Sequence, residues 1–116
     1  MPTSYTVTVT PKDGTAAGWF IQYFRWVSYD APEPIVHTIT NWDEADGKFT
    51  ASIMLQDGVY GLTCQAALAG RKVDVTLTPE PTITQPAGSR WPFKVEVPRD
   101  RTQVLRVRYF RVGANQ

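Results

Sequence analysis

Cysteine and histidine are nearly missing from this sequence. Cys64 is the one cysteine and His37 the one histidine among 116 residues. A single thiol excludes an internal disulfide and any multi-cysteine metal site. The chain therefore has to fold on its hydrophobic core, and its length is sufficient for a domain to do so.

Long apolar segments are missing as well. No stretch approaches the about 20 apolar residues of a membrane-spanning helix, and the start MPTSYTVTVT has neither the basic nor the apolar region of a secretory signal. These features predict a soluble chain without a membrane span, and the single cysteine favours the cytoplasm. With 42% hydrophobic and 20% charged residues, we expect one globular domain over residues 1–116.

None of the common catalytic motifs occurs. The sequence lacks a Gly-x-Ser-x-Gly turn, a Gly-x-x-x-x-Gly-Lys loop and a His-Glu-x-x-His helix. A Cys–His pair would need His37 and Cys64, but the alternation around Cys64 predicts an inward side chain that serves as packing. We therefore expect no enzyme and no cofactor. A glycosidase with paired carboxylates stays open, because sequence does not give their separation.

What the sequence does contain is alternation of apolar and polar residues with a period of two. The clearest runs are SYTVTVT, KFTASIML, VYGLTCQAAL, RKVDVTLTP, FKVEVP and TQVLRVRYFRV. No window shows helical spacing with caps at its ends. About seven to eight strands separated by turn residues predict an all-β, antiparallel β-sandwich, with a small β-barrel as the alternative.

Two details of this pattern carry structural predictions. Asp57 and Gly58 stand between two alternating runs, which predicts a β-hairpin at that point. In the last run, we expect Leu105, Val107 and Tyr109 to face the core and the intervening arginines to face water.

The segment FTASIMLQDGVYGLTCQAALAGRK, from Phe49 to Lys72, resembles a hairpin of fibronectin type III and prealbumin-like (carboxypeptidase-regulatory-like) domains. There, a strand ends at a leucine, an Asp-Gly turn follows and the next strand reads Tyr-x-Leu-x-x-x-Ala. The matching positions are Leu55, Asp57, Gly58, Tyr60, Leu62 and Ala66. The resemblance implies an Ig-like or prealbumin-like sandwich in which Tyr60 buries its ring at a corner. It implies no particular ligand.

The segment NWDEADG, residues 41–47, is rich in carboxylates, which are the ligands that calcium prefers. Counted from Asp43, position twelve of an EF-hand loop would be Met54 instead of glutamate. We therefore interpret the segment as a solvated hairpin loop and predict no metal. Calcium held together with Asp13 or Asp57 is the alternative.

Charge is balanced over the whole chain but not between its halves. The net charge is +1, with three basic and seven acidic residues in 1–58 and nine basic and four acidic residues in 59–116. Near neutrality argues against a nucleic-acid partner. Arg106 and Arg108 share one strand face and are candidates for contact with an anion such as an acidic glycan, a lipid headgroup or an acidic protein. The alternative is an edge strand that outward charges protect from pairing.

The most unusual stretch is GWFIQYFRWVSYD, residues 18–30, in which nearly every second residue is aromatic. A strand in a two-layer sandwich has one face toward the core. We predict that Phe20, Phe24 and Trp26 form that face, which leaves the opposite face exposed. A bulge or a shift of one residue would exchange the two faces.

Exposed rings beside an arginine are typical of sugar-binding platforms and protein interfaces. We therefore expect a lectin-like, non-catalytic binding module that recognises a glycan. The candidate ligand-binding residues are Trp19, Tyr23, Arg25 and Tyr29, with Trp42 and Trp91 from loops. The alternative is a structural or assembly protein whose aromatic face binds another protein or a second copy in a homo-oligomer.

Overall fold

The structure is a computed structural model that describes residues 2–12, 18–26 and 35–113. Its strands are β1 (Thr3–Pro11), β2 (Trp19–Trp26), β3 (His37–Thr38), β4 (Asp43–Ala45), β5 (Lys48–Leu55), β6 (Gly58–Ala67), β7 (Lys72–Thr78), β8 (Thr82–Gln85), β9 (Phe93–Glu96) and β10 (Gln103–Val112). The described residues form no helix. Accordingly, no helix suited to crossing a membrane occurs among them.

These strands form two antiparallel five-stranded sheets. Sheet A has the order β4-β5-β1-β7-β9, and sheet B has the order β3-β2-β6-β10-β8. The sheets pack against each other and do not close into a barrel, so the predicted all-β sandwich is confirmed. The predicted number of strands was too low, because β3 and β4 are very short and β8 lies in a proline-rich connection.

The core lies between the two sheets and takes every second residue from each long strand. In β1, for example, Val7 and Val9 are completely buried, while the alternating residues Thr6, Thr8 and Thr10 are only half-buried. Branched side chains suit this arrangement because they pack well on a pleated surface. The largest fully buried side chains are Phe93, Phe110, Ile21, Leu62, Leu77 and a set of valines.

The outer face of sheet A is polar. Thr6 lies opposite Ser52 on β5 and Thr78 on β7, and the next outward position, Thr8, lies opposite two more threonines. At the end of β1, Lys12 forms an ion pair of 3.2 Å with Asp74. This is the composition expected where one face of an antiparallel sheet meets water.

The predicted hairpin at Asp57 and Gly58 is wrong. Strand β5 pairs with β1 and β4 in sheet A, whereas β6 pairs with β2 and β10 in sheet B, so the chain crosses between the sheets here. A two-residue hairpin of type I′ needs positive φ at both central residues, and of this pair only Gly58 has one, at 149°.

A true two-residue hairpin occurs in the acidic segment instead. Asp46 and Gly47 have φ values of 54° and 76°, and they join β4 to β5 where Ala45 lies opposite Lys48. The hairpin interpretation of this segment is therefore confirmed, but three of its residues form the exposed strand β4 instead of a loop. Within the described ranges, no three His, Cys, Asp or Glu side chains come together as potential metal ligands, and Asp13 lies outside those ranges.

Candidate functional site

The two faces of β2 are the reverse of the prediction. Trp19 is 8% exposed and Ile21 is completely buried, whereas Phe20 is 58% exposed. The register explains this result, because Trp19 lies opposite Ala66 and Ile21 opposite Cys64. Residues opposite each other in an antiparallel pair share a face, and both of these β6 residues are buried in the core.

The prediction that Phe20, Phe24 and Trp26 form the core is therefore wrong. So is the prediction that Trp19 and Tyr23 belong to the exposed face, since Tyr23 is half-buried and packs against the core. Both sets contain large rings. The set with Trp19 packs into the core because the residues of β6 beside it face inward and are small.

The remaining predicted residues of this stretch lie apart. Arg25 is exposed at the end of β2, and its Nη2 donates a hydrogen bond of 2.9 Å to the carbonyl oxygen of Asp57. The ring of Tyr23 stacks on His37 at a centroid distance of 5.0 Å. Tyr29 lies outside the described residues.

Trp42 and Trp91 both pack against the core from loops. The indole nitrogen of Trp42 donates to the carbonyl of Ile39 at 3.1 Å, and that of Trp91 donates to the carbonyl of Pro81 at 2.8 Å. Trp42 also contacts Trp19 edge-to-face at a centroid distance of 5.1 Å. These bonded, half-buried rings stabilise loops, and the two tryptophans do not meet in one site.

The outward side chains of sheet B form a different surface, which we term the aromatic face. Cross-strand pairing aligns outward residues of β2, β6 and β10 in rows, such as Phe20 opposite Gln65 and Gln65 opposite Leu105. The aromatic face comprises Phe20, Gln22, Phe24 and Trp26 of β2, Val59, Gly61, Thr63 and Gln65 of β6, and Leu105, Val107, Tyr109 and Arg111 of β10. Phe20 and Leu105 are each 58% exposed.

Gly61 shapes the middle of the aromatic face. It lies between Phe24 and Tyr109 in the sheet, and a Cβ at this position would come within 2.4 Å of the Phe24 ring. The absence of a side chain thus lets Phe24 lie across β6 and meet Tyr109 edge-to-face, with centroids 6.0 Å apart. An aromatic ring that covers a glycine in this way is a known means of fixing a cross-strand pair.

A groove of about 340 Å³ opens at one end of the aromatic face. Its walls are Trp26, Val59, Thr84, Gln85, Tyr109 and Arg111. Trp26 lies opposite Val59, and Val59 lies opposite Arg111, so these three lining residues form one row across the sheet. The pairing of β10 with β8 shifts between Tyr109 and Phe110, and this irregularity brings Gln85 beside Tyr109.

The faces of β10 are also the reverse of the prediction. Val104, Phe110 and Val112 are buried, and Leu105 is exposed. Strand β8 pairs with β10 only over Tyr109–Arg111, so the interpretation of Arg106 as part of a strand edge that charges protect stays a prediction. Both faces of this strand carry apolar residues, so the alternation alone could not decide between them.

Arg108 consequently points toward the interior beside β9. Its guanidinium carbon lies 4.4 Å from the centroid of the Phe93 ring, and its Nη1 donates to the carbonyl of Val107 at 3.1 Å. Burial, together with the neighbouring charge of Arg106, lowers the pKa of Arg108. The predicted contact of these two arginines with an anion stays a prediction.

Cys64 and His37 do not form a catalytic pair. Cys64 is completely buried on β6, as expected, and burial raises the pKa of its thiol to about 12. His37 is exposed on β3. Because the thiolate is the reactive form, a thiol with this pKa is inert at neutral pH.

A second groove, of about 330 Å³, lies between the sheets at the other end of β2. Its walls include Trp19, Phe20, Ile39, Trp42 and Phe49. Thr38 and Thr40 add hydroxyl groups to these walls, and no charged side chain lines the groove among the residues described. It therefore provides few groups that could orient a polar ligand.

No protein-family model, curated protein or solved structure matches this chain. The resemblance of residues 49–72 to fibronectin type III and prealbumin-like domains therefore stays a prediction. The fold and the surfaces of the sandwich are the basis on which a function can be inferred.

Proposed function

We propose that this chain is a non-catalytic binding module whose ligand surface is the aromatic face. The observation that carries the proposal is the contrast between the two outer surfaces of the sandwich. The outer face of sheet A presents mainly threonine, serine and charged residues. The outer face of sheet B presents Phe20, Phe24, Trp26, Leu105 and Tyr109. Apolar rings collected on one surface are typical of interaction sites.

A glycan is the ligand that best suits the groove at the end of this face. Trp26 and Tyr109 provide flat apolar surfaces, and Thr84, Gln85 and Arg111 provide hydrogen-bonding groups around them. Sites for small polar ligands combine these two properties, because the rings bury the apolar side of the ligand and the polar groups orient it. The proposed ligand-binding residues thus differ from those predicted from the sequence.

A protein interface is the second candidate, and a separate observation favours it. Phe20 and Leu105 lie on either side of Gln65, away from the groove, and each is 58% exposed. Neither side chain can form hydrogen bonds, so burial against an apolar protein surface would suit them better than a sugar. The partner would be another protein or a second copy of this chain.

The first proposal is tested by titrating the protein with a panel of neutral and acidic oligosaccharides while tryptophan emission is recorded. Trp26 lines the groove, whereas Trp19, Trp42 and Trp91 belong to the core or pack against it. We expect binding to change the emission, and Trp26→Ala to abolish the change and weaken binding by about tenfold or more in calorimetry. Met54→Ala is the matched control, because Met54 is 60% exposed but belongs to sheet A.

Sedimentation velocity separates the two candidates. If no oligosaccharide alters the emission and the protein forms a concentration-dependent dimer that Leu105→Ser disrupts, the glycan proposal is wrong and the protein interface is supported. If oligosaccharides bind equally well to the native protein and to Trp26→Ala, the groove is not the site.

A further inference from the structure

Charged residues are distributed unequally between the two sheets. Each sheet takes strands from both halves of the sequence, so the charge of a sheet depends on its individual strands and does not follow from the charge difference between the halves. The described strands of sheet B contain no carboxylate and four arginines, namely Arg25, Arg106, Arg108 and Arg111. Those of sheet A contain lysines together with Asp43, Glu44, Asp74 and Glu96.

The ion pairs follow the same division. The pairs between described residues, Lys12 with Asp74 and Lys72 with Glu96, both lie on the side of sheet A. The arginines of sheet B therefore have no carboxylate partner among the residues that the structure describes. Arginines that form no ion pair with a described carboxylate make this sheet complementary to an anionic ligand.

Arg111 brings this charge to the groove. It is exposed, it forms part of the wall beside Tyr109, and it is the one charged residue in the described part of the aromatic face. Trp26 lies two strands away in the same row, which corresponds to about 10 Å between backbones. A ligand that lies across this row would meet Trp26 at one end and the Arg111 guanidinium at the other.

We propose that the groove binds a saccharide that carries a carboxylate, such as a uronic acid. This inference rests on the proposed glycan-binding function and specifies its ligand class. Arg111 pairs with the carboxylate, for which the planar guanidinium provides two parallel N–H donors. Trp26 and Tyr109 pack against the sugar rings, and Gln85 binds hydroxyl groups. The polar groups of the groove thereby select the acidic sugar over its neutral analogue.

The test compares two probes with the same sugar backbone, a tetramer of galacturonic acid and its fully methyl-esterified form. We expect the acid to bind the native protein about ten- to a hundredfold more tightly than the ester, as a charge-assisted hydrogen bond would provide. Arg111→Gln should bring the affinity for the acid down to that for the ester, and Arg111→Lys should restore part of the difference. Added salt should reduce the preference in the native protein.

Arg106→Gln is the matched control, since Arg106 is exposed on the same strand but on its opposite face. It should leave the preference unchanged, and circular dichroism establishes that each variant folds. Equal binding of acid and ester, loss of the preference in Arg106→Gln, or binding of neutral panel sugars alone would each overturn the inference while the glycan-binding function stands. If no member of the panel binds, the proposed function itself is wrong, and this inference with it.

Discussion

Replacing Trp19 with alanine is expected to lower the free energy of unfolding by about 3 to 5 kcal/mol, the cost of removing a large ring from a packed core. Trp19 is 8% exposed and contacts Trp42 and Phe49 edge-to-face at centroid distances of 5.1 and 5.2 Å. Its neighbour Phe20 is 58% exposed, so Phe20→Ala should cost less than about 1 kcal/mol.

Urea denaturation of the two variants measures this difference directly. The pair is well matched, because Trp19 and Phe20 are adjacent aromatic residues that occupy opposite faces of one strand. Similar losses in the two variants, or a larger loss in Phe20→Ala, would mean that the faces of β2 are assigned incorrectly. The residues of β2 that we assign to the aromatic face would then not belong to it.

The second large effect concerns Cys64. Burial raises the pKa of its thiol from the ordinary 9.0 to about 12, which lowers the thiolate fraction near pH 8 by about a thousandfold. Since disulfide reagents react with the thiolate, we expect labelling by Ellman's reagent at pH 8 to be much slower in the folded protein than in urea, by about a hundredfold or more once the higher nucleophilicity of a high-pKa thiolate is allowed for. Burial of the sulfur should slow the folded reaction further.

The same pKa gives a dependence of stability on pH with a definite sign. In the unfolded chain the thiol ionises above pH 9.0, whereas in the folded chain it stays neutral until pH is about 12. The contribution of the neutral, buried thiol is therefore fully present below pH 9.0 and is lost as the pH rises toward 12. Rapid labelling of the folded protein at pH 8 would contradict the burial of the Cys64 thiol, and a nucleophilic role for this cysteine would again have to be considered.

The sequence was sufficient to predict the fold class and the inward faces of several strands. In β1, β7 and β9, one face carries valines and the other carries threonines or charges, so burial has a single solution. Val7, Val73 and Val95 are buried accordingly. Where polar and apolar residues alternate this clearly, the period of two is enough to orient a strand.

The strands β2 and β10 could not be oriented in the same way. Each carries bulky apolar residues on both faces, so alternation gives two acceptable solutions. Which face is buried depends on the opposite residues of β6. Ala66 and Cys64 face the core, and Gly61 occupies an outward position without a side chain. That information lies in the pairing of strands that are distant in the sequence, and hydrophobic periodicity does not contain it.

The candidate site could not be predicted from the sequence, for a related reason. Trp26, Val59 and Arg111 lie in one row only because β2, β6 and β10 are neighbours in sheet B. The wall residues Thr84 and Gln85 belong to β8, a four-residue strand inside a proline-rich segment that reads as a loop. The sequence did indicate an excess of aromatic residues, but the sheet order determines which rings meet.

Mapping of ligand contacts by nuclear magnetic resonance tests the central claim most directly. The isotope-labelled protein is titrated with the oligosaccharide that alters tryptophan emission most strongly, and amide shifts are followed for both sheets. We expect the largest shifts at Trp26, Val59, Tyr109 and Arg111, and little change at Thr6 and Thr8 on the outer face of sheet A. Shifts concentrated on sheet A, or no shift with any oligosaccharide of the panel, would contradict the assignment of the aromatic face as a glycan-binding surface.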